Sequence, residues 1–359
     1  MAHPYDGGST VNRIVSCIAA GLLGLAAPLA AQASLSSLSS LFVFGDSLSD
    51  GGNSGLLTQA YAGVVFPPPP YYNGQYSNGP VAVEYLWQSF NPGDNRFKPS
   101  LAGGTNYAIA GATTGTVNYN SVNPNVPAAL QPTFDQKGSA WQLRAFAAQA
   151  PVFDPATSLF VVWQFPNDVF YASQTGQLPG TVPGSPGGTN LVTNGIQNIL
   201  TTVATLYASG ARHFLVPNMP DLGSLPFSIG TPQAPTLTGI TSLFNAGLDF
   251  GLDQLSPALL GADIMRFDTA AFFAGVQANP AAYGFAVGDK ACLDAAVPSV
   301  CADPNQYVFW DGVHPTTRGH QVLAEQFRAT VVPAPQTWAL LLLGLGAIAA
   351  VARRRAVGR

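Results

Sequence analysis

The sequence predicts an α/β protein built on an open parallel sheet. Short apolar runs alternate with longer stretches of helical pattern, which is the signature of βαβ units. Each run is apolar enough to be covered on both faces, as strands of a parallel sheet are. Polar residues follow these runs directly, where the loops of such a sheet converge on one crevice.

Five runs are strand candidates: Leu41 to Phe44, Asn106 to Ala108, Leu159 to Trp163, His213 to Val216 and Ile264 to Phe267. Helical patterns cover Val81 to Phe90, Ala140 to Ala148, Gly195 to Ser209, Thr238 to Leu255, Thr269 to Ala278 and Thr317 to Thr330. Phe66 to Pro80 and Gln174 to Thr189 are rich in Pro and Gly and unpatterned, so they read as surface loops. Loops of that length often frame a binding site. Tyr71, Tyr72 and Tyr76 in the first of them suit sugar stacking and lipid contact equally well.

The chain has 359 residues, enough for one large domain once its terminal segments are set aside. Only 9% of residues are charged, while Gly (38) and Pro (30) abound, so solubility must come from Asn, Gln, Ser, Thr and loop backbone. That balance favours an extracytoplasmic protein. A formal net charge of -4 offers no basic field, which argues against nucleic-acid binding and against docking on anionic membranes through basic residues.

Residues 1–33 read as a secretory leader: Arg13, an apolar run from Ile14 to Leu29, then Ala31-Gln32-Ala33 as a small-residue cleavage site. The mature chain then begins near Ser34. The first ten residues lack basic character, and initiation at Val11 accounts for them. Cys17 sits within the apolar run and packs in the discarded segment. Cys292 and Cys301 remain, and an even pair in an exported chain favours a disulfide closing a short loop; the alternative is two free buried thiols.

Ser47 lies in Phe44-Gly45-Asp46-Ser47-Leu48-Ser49-Asp50-Gly51-Gly52-Asn53, directly after the first apolar run. A serine on a Gly-rich turn between strand and helix presents its hydroxyl at the sheet's mouth. Such a hydroxyl is a weak nucleophile without a base in hydrogen-bond reach. Of the four histidines, His3 lies ahead of the leader's apolar run, His213 introduces a strand at the wrong end and His320 falls in a helix pattern, leaving His314 in a loop. Asp311 stands three residues before it, a spacing that lets the carboxylate hold one ring nitrogen while the other faces Ser47. Read alone, the segment could be a helix entry, with Asp311 a turn residue. Acyl transfer also needs donors for the oxyanion. The Ser47 N–H, the Gly111 N–H and the Asn167 amide are the candidates, placed after successive strands.

These blocks resemble the GDSL/SGNH esterases and lipases over Leu41 to Phe327. Gly45-Asp46-Ser47-Leu48 matches the nucleophile block, Gly111 the glycine block, Asn167-Asp168 the asparagine block and Asp311-Gly312-Val313-His314-Pro315-Thr316 the histidine block. The resemblance implies a three-layer α/β/α, flavodoxin-like fold with a five-stranded parallel sheet, and ester hydrolysis by Ser47, His314 and Asp311 with neither metal nor cofactor. One departure stands out: the family has Gly two positions before the asparagine, where this chain has Phe165. Phe165 is expected to fill part of the acyl pocket and Pro166 to stiffen the loop.

After the domain, 34–330, comes a tail, 331–359. Val332-Pro333-Ala334-Pro335 leads to an apolar stretch from Trp338 to Val351 and then Arg353-Arg354-Arg355. The stretch is short for a membrane span, which needs about 20 residues, though counted from Val331 it just suffices to cross, and an ordinary C-terminal membrane helix is the alternative reading. Its basic cluster would stay cytoplasmic. The tail resembles the PEP-CTERM sorting signal of Gram-negative bacteria, with Ala334 where that signal has Glu. The resemblance implies an exosortase-type processing partner, membrane association before processing, and export to the cell surface or matrix. The expected substrate is an ester of a lipid, a small alcohol or an acetylated polysaccharide. The competing readings are an exopolysaccharide O-acetyl esterase and a non-catalytic surface or matrix-binding module.

Overall fold

The computed structural model describes residues 35–294, 297, 299–332, 344 and 346. The predicted leader, with Cys17, and the apolar stretch of the tail, apart from Gly344 and Gly346, lie outside the described residues. Among the described residues no helix is long and apolar enough to cross a membrane.

Four strands form the central sheet: β1 (Ser40–Gly45), β2 (Ser158–Trp163), β3 (His213–Pro217) and β4 (Asp263–Phe267). They run in parallel in the order β1-β2-β3-β4. The side-chain period of two sends alternate residues to opposite faces. On one face Phe42 and Phe44 meet Phe146 at ring centroid distances of 5.8 and 5.7 Å. On the other, Trp163 and Phe267 meet Phe327 at 5.6 and 4.9 Å. Each large side chain buried this way contributes roughly 1.5–3 kcal/mol.

The predicted fifth strand is corrected. Asn106 to Ala108 lies beside β1, with Tyr107 N–H donating to Val43 O (2.8 Å) and Ile109 N–H to Gly45 O (3.2 Å), yet it forms only a single parallel bridge to β1, at Val43. The reason is local: Asn106 Oδ1 accepts from Ala108 N at 3.0 Å, which bends the segment out of the ladder. Asn53 Nδ2 donates to Asn106 O (2.8 Å) and Ala108 O (2.9 Å). A side chain thus covers the edge that another strand would otherwise seek.

Eight α-helices are described: α1 (Asn53–Ala62), α2 (Ala82–Phe90), α3 (Ser139–Gln149), α4 (Pro166–Thr175), α5 (Leu191–Ala208), α6 (Ala234–Leu255), α7 (Thr269–Ala278) and α8 (Thr317–Val331). The six predicted helices occur. α5 starts earlier than its apolar pattern because Asn190 caps it, accepting from Thr193 N. α6 starts earlier with a proline in its first turn. Phe146 belongs to α3 and Phe327 to α8, so helices cover both sheet faces, and α2 lies along α8 as α5 lies along α6.

A smaller region precedes the histidine loop. β5 (Val287–Ala291) pairs in parallel with β8 (Tyr307–Phe309), while β6 (Leu293–Asp294) and β7 (Ser299–Val300) form a hairpin. The sulfurs of Cys292 and Cys301 are joined across it at 2.01 Å. Leu293 N–H donates to Trp310 O (2.6 Å), so the hairpin is anchored one residue before Asp311. Far from there, Leu35 N–H donates to Val331 O (3.4 Å), bringing the first described residue to the end of α8.

Candidate active site

The turn after β1 is held from three sides. Gln142 of α3 grips both backbone groups of Gly45, accepting from its N–H (2.9 Å) and donating to its carbonyl (2.7 Å). A side chain at Gly45 would meet Ser49 Cβ at 2.9 Å, so the close turn requires glycine. Asp46 accepts from Leu48 N (3.0 Å) and Asp50 accepts from Gly52 N, Asn53 N and Ser54 N, capping α1. Asp50 also accepts from Ala110 N (2.9 Å), tying this turn to the loop that carries Gly111.

Ser47 is thereby presented at the carboxyl end of β1. Its Oγ lies 2.8 Å from His314 Nε2. His314 Nδ1 faces both oxygens of Asp311, at 2.9 and 2.8 Å. The spacing of three works because the backbone turns tightly: Asp311 Oδ1 also accepts from Val313 N (2.8 Å) and His314 N (2.7 Å). Burial works to raise the Asp311 carboxyl, but the His314 charge and the hydrogen bonds from His314 and Val313 outweigh it and hold the group below its ordinary value. Asp311 therefore stays ionised beside the imidazole.

Gly111 and Asn167 border the same cavity. Gly111 has φ +79°, and a Cβ there would lie 2.4 Å from Asn118 Oδ1. Its carbonyl accepts from Tyr119 N (2.6 Å). Asn167 opens α4, and its amide donates toward the Asp46 carboxylate. Burial raises the Asp46 carboxyl to about 6, against the opposing pull of the Leu48 N–H, the His314 charge and Asn167. Asp168, fully buried, accepts from Thr114 N (2.8 Å) and Thr114 Oγ1 (2.6 Å), and burial raises it to about 7.

The cavity measures about 640 Å³. One wall is apolar, with Phe170, Leu222, Leu225 and Phe227; another carries Asn120, Asn123 and Asn125. Among the described residues no Lys or Arg lines it. Tyr71 and Tyr76 from the Pro-rich loop border it, whereas Tyr72 is not among its lining residues. Sequence patterns did not single out this apolar wall, since its members come from α4 and from the loop after β3.

Phe165 is elsewhere than expected. It is fully buried and absent from the cavity lining, where Pro166 stands instead. Its φ of +126° is a conformation that glycine adopts freely, which accounts for the glycine usual at this position. Asn218, also at a strand end, is structural: it accepts from Thr269 N (2.7 Å) at the start of α7. His213 opens β3 at the end of the sheet opposite Ser47, 3.9 Å from Asp263. His320 is buried inside α8.

A three-layer α/β fold with a serine hydroxyl against a carboxylate-backed imidazole is the architecture of a hydrolase, and this chain is a carboxylic ester hydrolase. It belongs to the GDSL-like lipase/acylhydrolase family, whose profile matches residues 41–327. A GDSL esterase/lipase of Arabidopsis thaliana is 28% identical over 319 residues, covering 80% of this chain and 83% of that one. An uncharacterized protein from the trpE-trpG intergenic region of Pseudomonas putida is 27% identical over 87% of this chain and 51% of its own length. The solved structure of an acetylxylan esterase from Geobacillus stearothermophilus aligns at a TM-score of 0.40 and 16% identity, covering 83% of this chain and 96% of that one. Residues 331–355 match the PEP-CTERM protein-sorting motif, which points to export.

Proposed function

We propose that the protein cleaves carboxylic esters through an acyl-enzyme on Ser47. The observation that carries this reading is the unbroken chain of contacts from Ser47 Oγ to His314 Nε2 (2.8 Å) and from His314 Nδ1 to Asp311 (2.8 Å). Ser47 Oγ attacks the carbonyl carbon while His314 takes its proton. The oxyanion is received by the N–H groups of Ser47 and Gly111 and the Asn167 amide. His314 then protonates the departing alcohol. Water, activated by the same imidazole, releases the acid and restores the serine. Asp311 orients the ring and stabilises its cationic form.

The cavity supports a neutral ester with an apolar acyl group, because Phe170, Leu222, Leu225 and Phe227 offer apolar contact and no Lys or Arg among the described residues lines the wall. Asn120, Asn123 and Asn125 favour a second reading, removal of acetyl groups from exopolysaccharide, since amides suit sugar hydroxyls. The sorting motif supports cleavage of the leader 1–33, a mature catalytic domain over 34–330, handling of the tail by an exosortase-type enzyme, and residence at the surface of a Gram-negative bacterium. A fluorophosphonate probe tests the central claim: it should form one adduct, at Ser47, and Ser47→Ala should remove both adduct and turnover of a short nitrophenyl ester. Loss of such a nucleophile costs several orders of magnitude. Undiminished turnover by Ser47→Ala would refute the mechanism, and absence of any adduct in the active-site serine would favour a non-catalytic binding module. A panel of acetylated polysaccharide against longer acyl esters separates the two substrate classes.

A further inference from the structure

We infer that Tyr71 is a positioning residue of this site, a fourth group that fixes the Asp311 carboxylate against His314 through its second oxygen. The inference rests on the reading of Ser47, His314 and Asp311 given above.

The two oxygens of Asp311 are held by different means. Oδ1 accepts from the N–H groups of Val313 and His314, both supplied by the histidine loop itself. For Oδ2 the turn offers only the His314 ring itself, whose Nδ1 lies 2.8 Å away, and no backbone donor among the described residues. Tyr71 provides a second donor, its hydroxyl donating to Oδ2 at 2.8 Å from 240 residues away in the chain. A carboxylate whose Oδ2 met only the ring it must orient could swing together with that ring about its Cβ–Cγ bond, a broad torsion. Pinning the second oxygen fixes the plane that the imidazole must meet.

The tyrosine is itself held in place. Its ring lies edge-on to Trp310, with centroids 6.2 Å apart, and tilted against Tyr76 at 5.8 Å. Tyr76 in turn packs over the His314 ring at 5.0 Å. Burial, followed by the charge and hydrogen bond of Asp311, pushes the Tyr71 phenol well above its ordinary value, so it remains a donor throughout the working range. Tyr71 and Asp311 both border the substrate cavity, at the point where the Pro-rich loop meets the histidine loop.

A donor on Oδ2 also spreads the carboxylate's charge. Without it, more charge faces His314 Nδ1 and the imidazolium is stabilised further. The other groups around the ring are Asp46 from the turn after β1, His320 from α8 and Tyr76, with Asp50 facing Tyr76. Tyr71→Phe leaves all of them in place and keeps the ring packing on Trp310, so a change in pH profile reads the hydroxyl alone.

The experiment compares wild type, Tyr71→Phe and Tyr71→Ala as full-length protein on a short nitrophenyl ester from pH 4.5 to 9, with thermal melting of each. Tyr71→Phe should melt like wild type, keep KM within about twofold, lose about tenfold in kcat and move the acid limb of kcat/KM upward by about half a unit. Tyr71→Ala should lose more in kcat and melt lower. Wild-type kcat with an unmoved acid limb in Tyr71→Phe would overturn the inference, as would a fall in kcat with no movement of the limb, since packing alone would explain that. A wild-type protein that neither hydrolyses the ester nor takes the fluorophosphonate probe would defeat the mechanism and this role together; an active wild type with an indifferent Tyr71→Phe defeats only the role of Tyr71.

Discussion

The rings of Phe165 and Phe244 lie face to face, 3.7 Å between centroids and 7° between planes. This contact holds a non-glycine residue at φ +126°, directly before the helix that presents Asn167. Such a backbone costs of order 1–3 kcal/mol and persists only where surrounding packing over-determines it. Phe165→Ala should lose the ring, at about 3–5 kcal/mol, and keep the strain. Phe165→Gly loses the same ring but relieves the strain. Urea unfolding should therefore rank glycine above alanine here, by about 1–3 kcal/mol; the reverse order would mean the strain is not there.

Gly195 of α5 belongs to the same arrangement. A Cβ there would lie 2.3 Å from Phe165 Cδ2 and Cε2. Inside a helix, Gly to Ala ordinarily gains up to about 1 kcal/mol. Here Gly195→Ala should destabilise instead, and the loss should shrink or reverse in the Phe165→Gly background. A double-mutant cycle on unfolding free energies checks it, and simple additivity would disprove the coupling.

His320 gives the fold a dependence on pH. It is buried, neither ring nitrogen has a hydrogen-bond partner among the described residues, and burial, aided by the charge of His314, lowers its pKa from 6.5 to about 3. A folded-state value below the unfolded one means the unfolded chain binds the extra proton. The folded state is unpenalised above 6.5 and loses stability as pH falls from there toward 3. His320→Leu removes that loss, a gain over wild type of about 2 kcal/mol at pH 5 compared with pH 8, at about 1.4 kcal/mol per unit. Denaturant midpoints at the two pH values measure it; a difference independent of pH would count against the assignment.

The Cys292–Cys301 link closes a span of 9 residues. Replacing both by serine should cost about 2–3 kcal/mol, and reductant should lower the melting temperature of wild type alone. Native protein should show no reactive thiol from this pair. Titration of two thiols before denaturation would contradict the link.

Asn53 covers the sheet edge and also accepts from Leu101 N at 3.1 Å. Asn53→Leu keeps the bulk but leaves the Ala108 carbonyl and the Leu101 N–H without their partner, while the Asn106 carbonyl keeps the Ser100 N–H at 2.7 Å. At about 1–3 kcal/mol for each buried unsatisfied group, the variant should be severely destabilised. Expression at wild-type level with an unchanged melting temperature would show that water replaces the amide without cost.

Much of the fold was legible because its strands are apolar without interruption, as in the runs that became β1 and β2. The helix α1, Asn53 to Ala62, escaped because its sequence carries little apolar periodicity, and α4, Pro166 to Thr175, because it is short and largely polar. Pro166 in the first turn was the available signal for the second. Asp311 and His314 could be paired from sequence because a turn of three residues sets their distance. Tyr71 could not, because no local pattern records a contact across 240 residues. Phe165 was misplaced for a related reason: its neighbour Asn167 borders the cavity, but a backbone at positive φ turns the adjacent side chain inward.

The meeting of Leu35 with Val331 places both ends of the catalytic body side by side. α8 starts beside the histidine loop and runs 15 residues to Val331, about 22 Å at 1.5 Å per residue. Both ends of the catalytic body thus emerge on the floor beneath the strands' starting points, and the substrate mouth opens on the roof. Any attachment made through either end would therefore leave the cavity on the side away from the attachment.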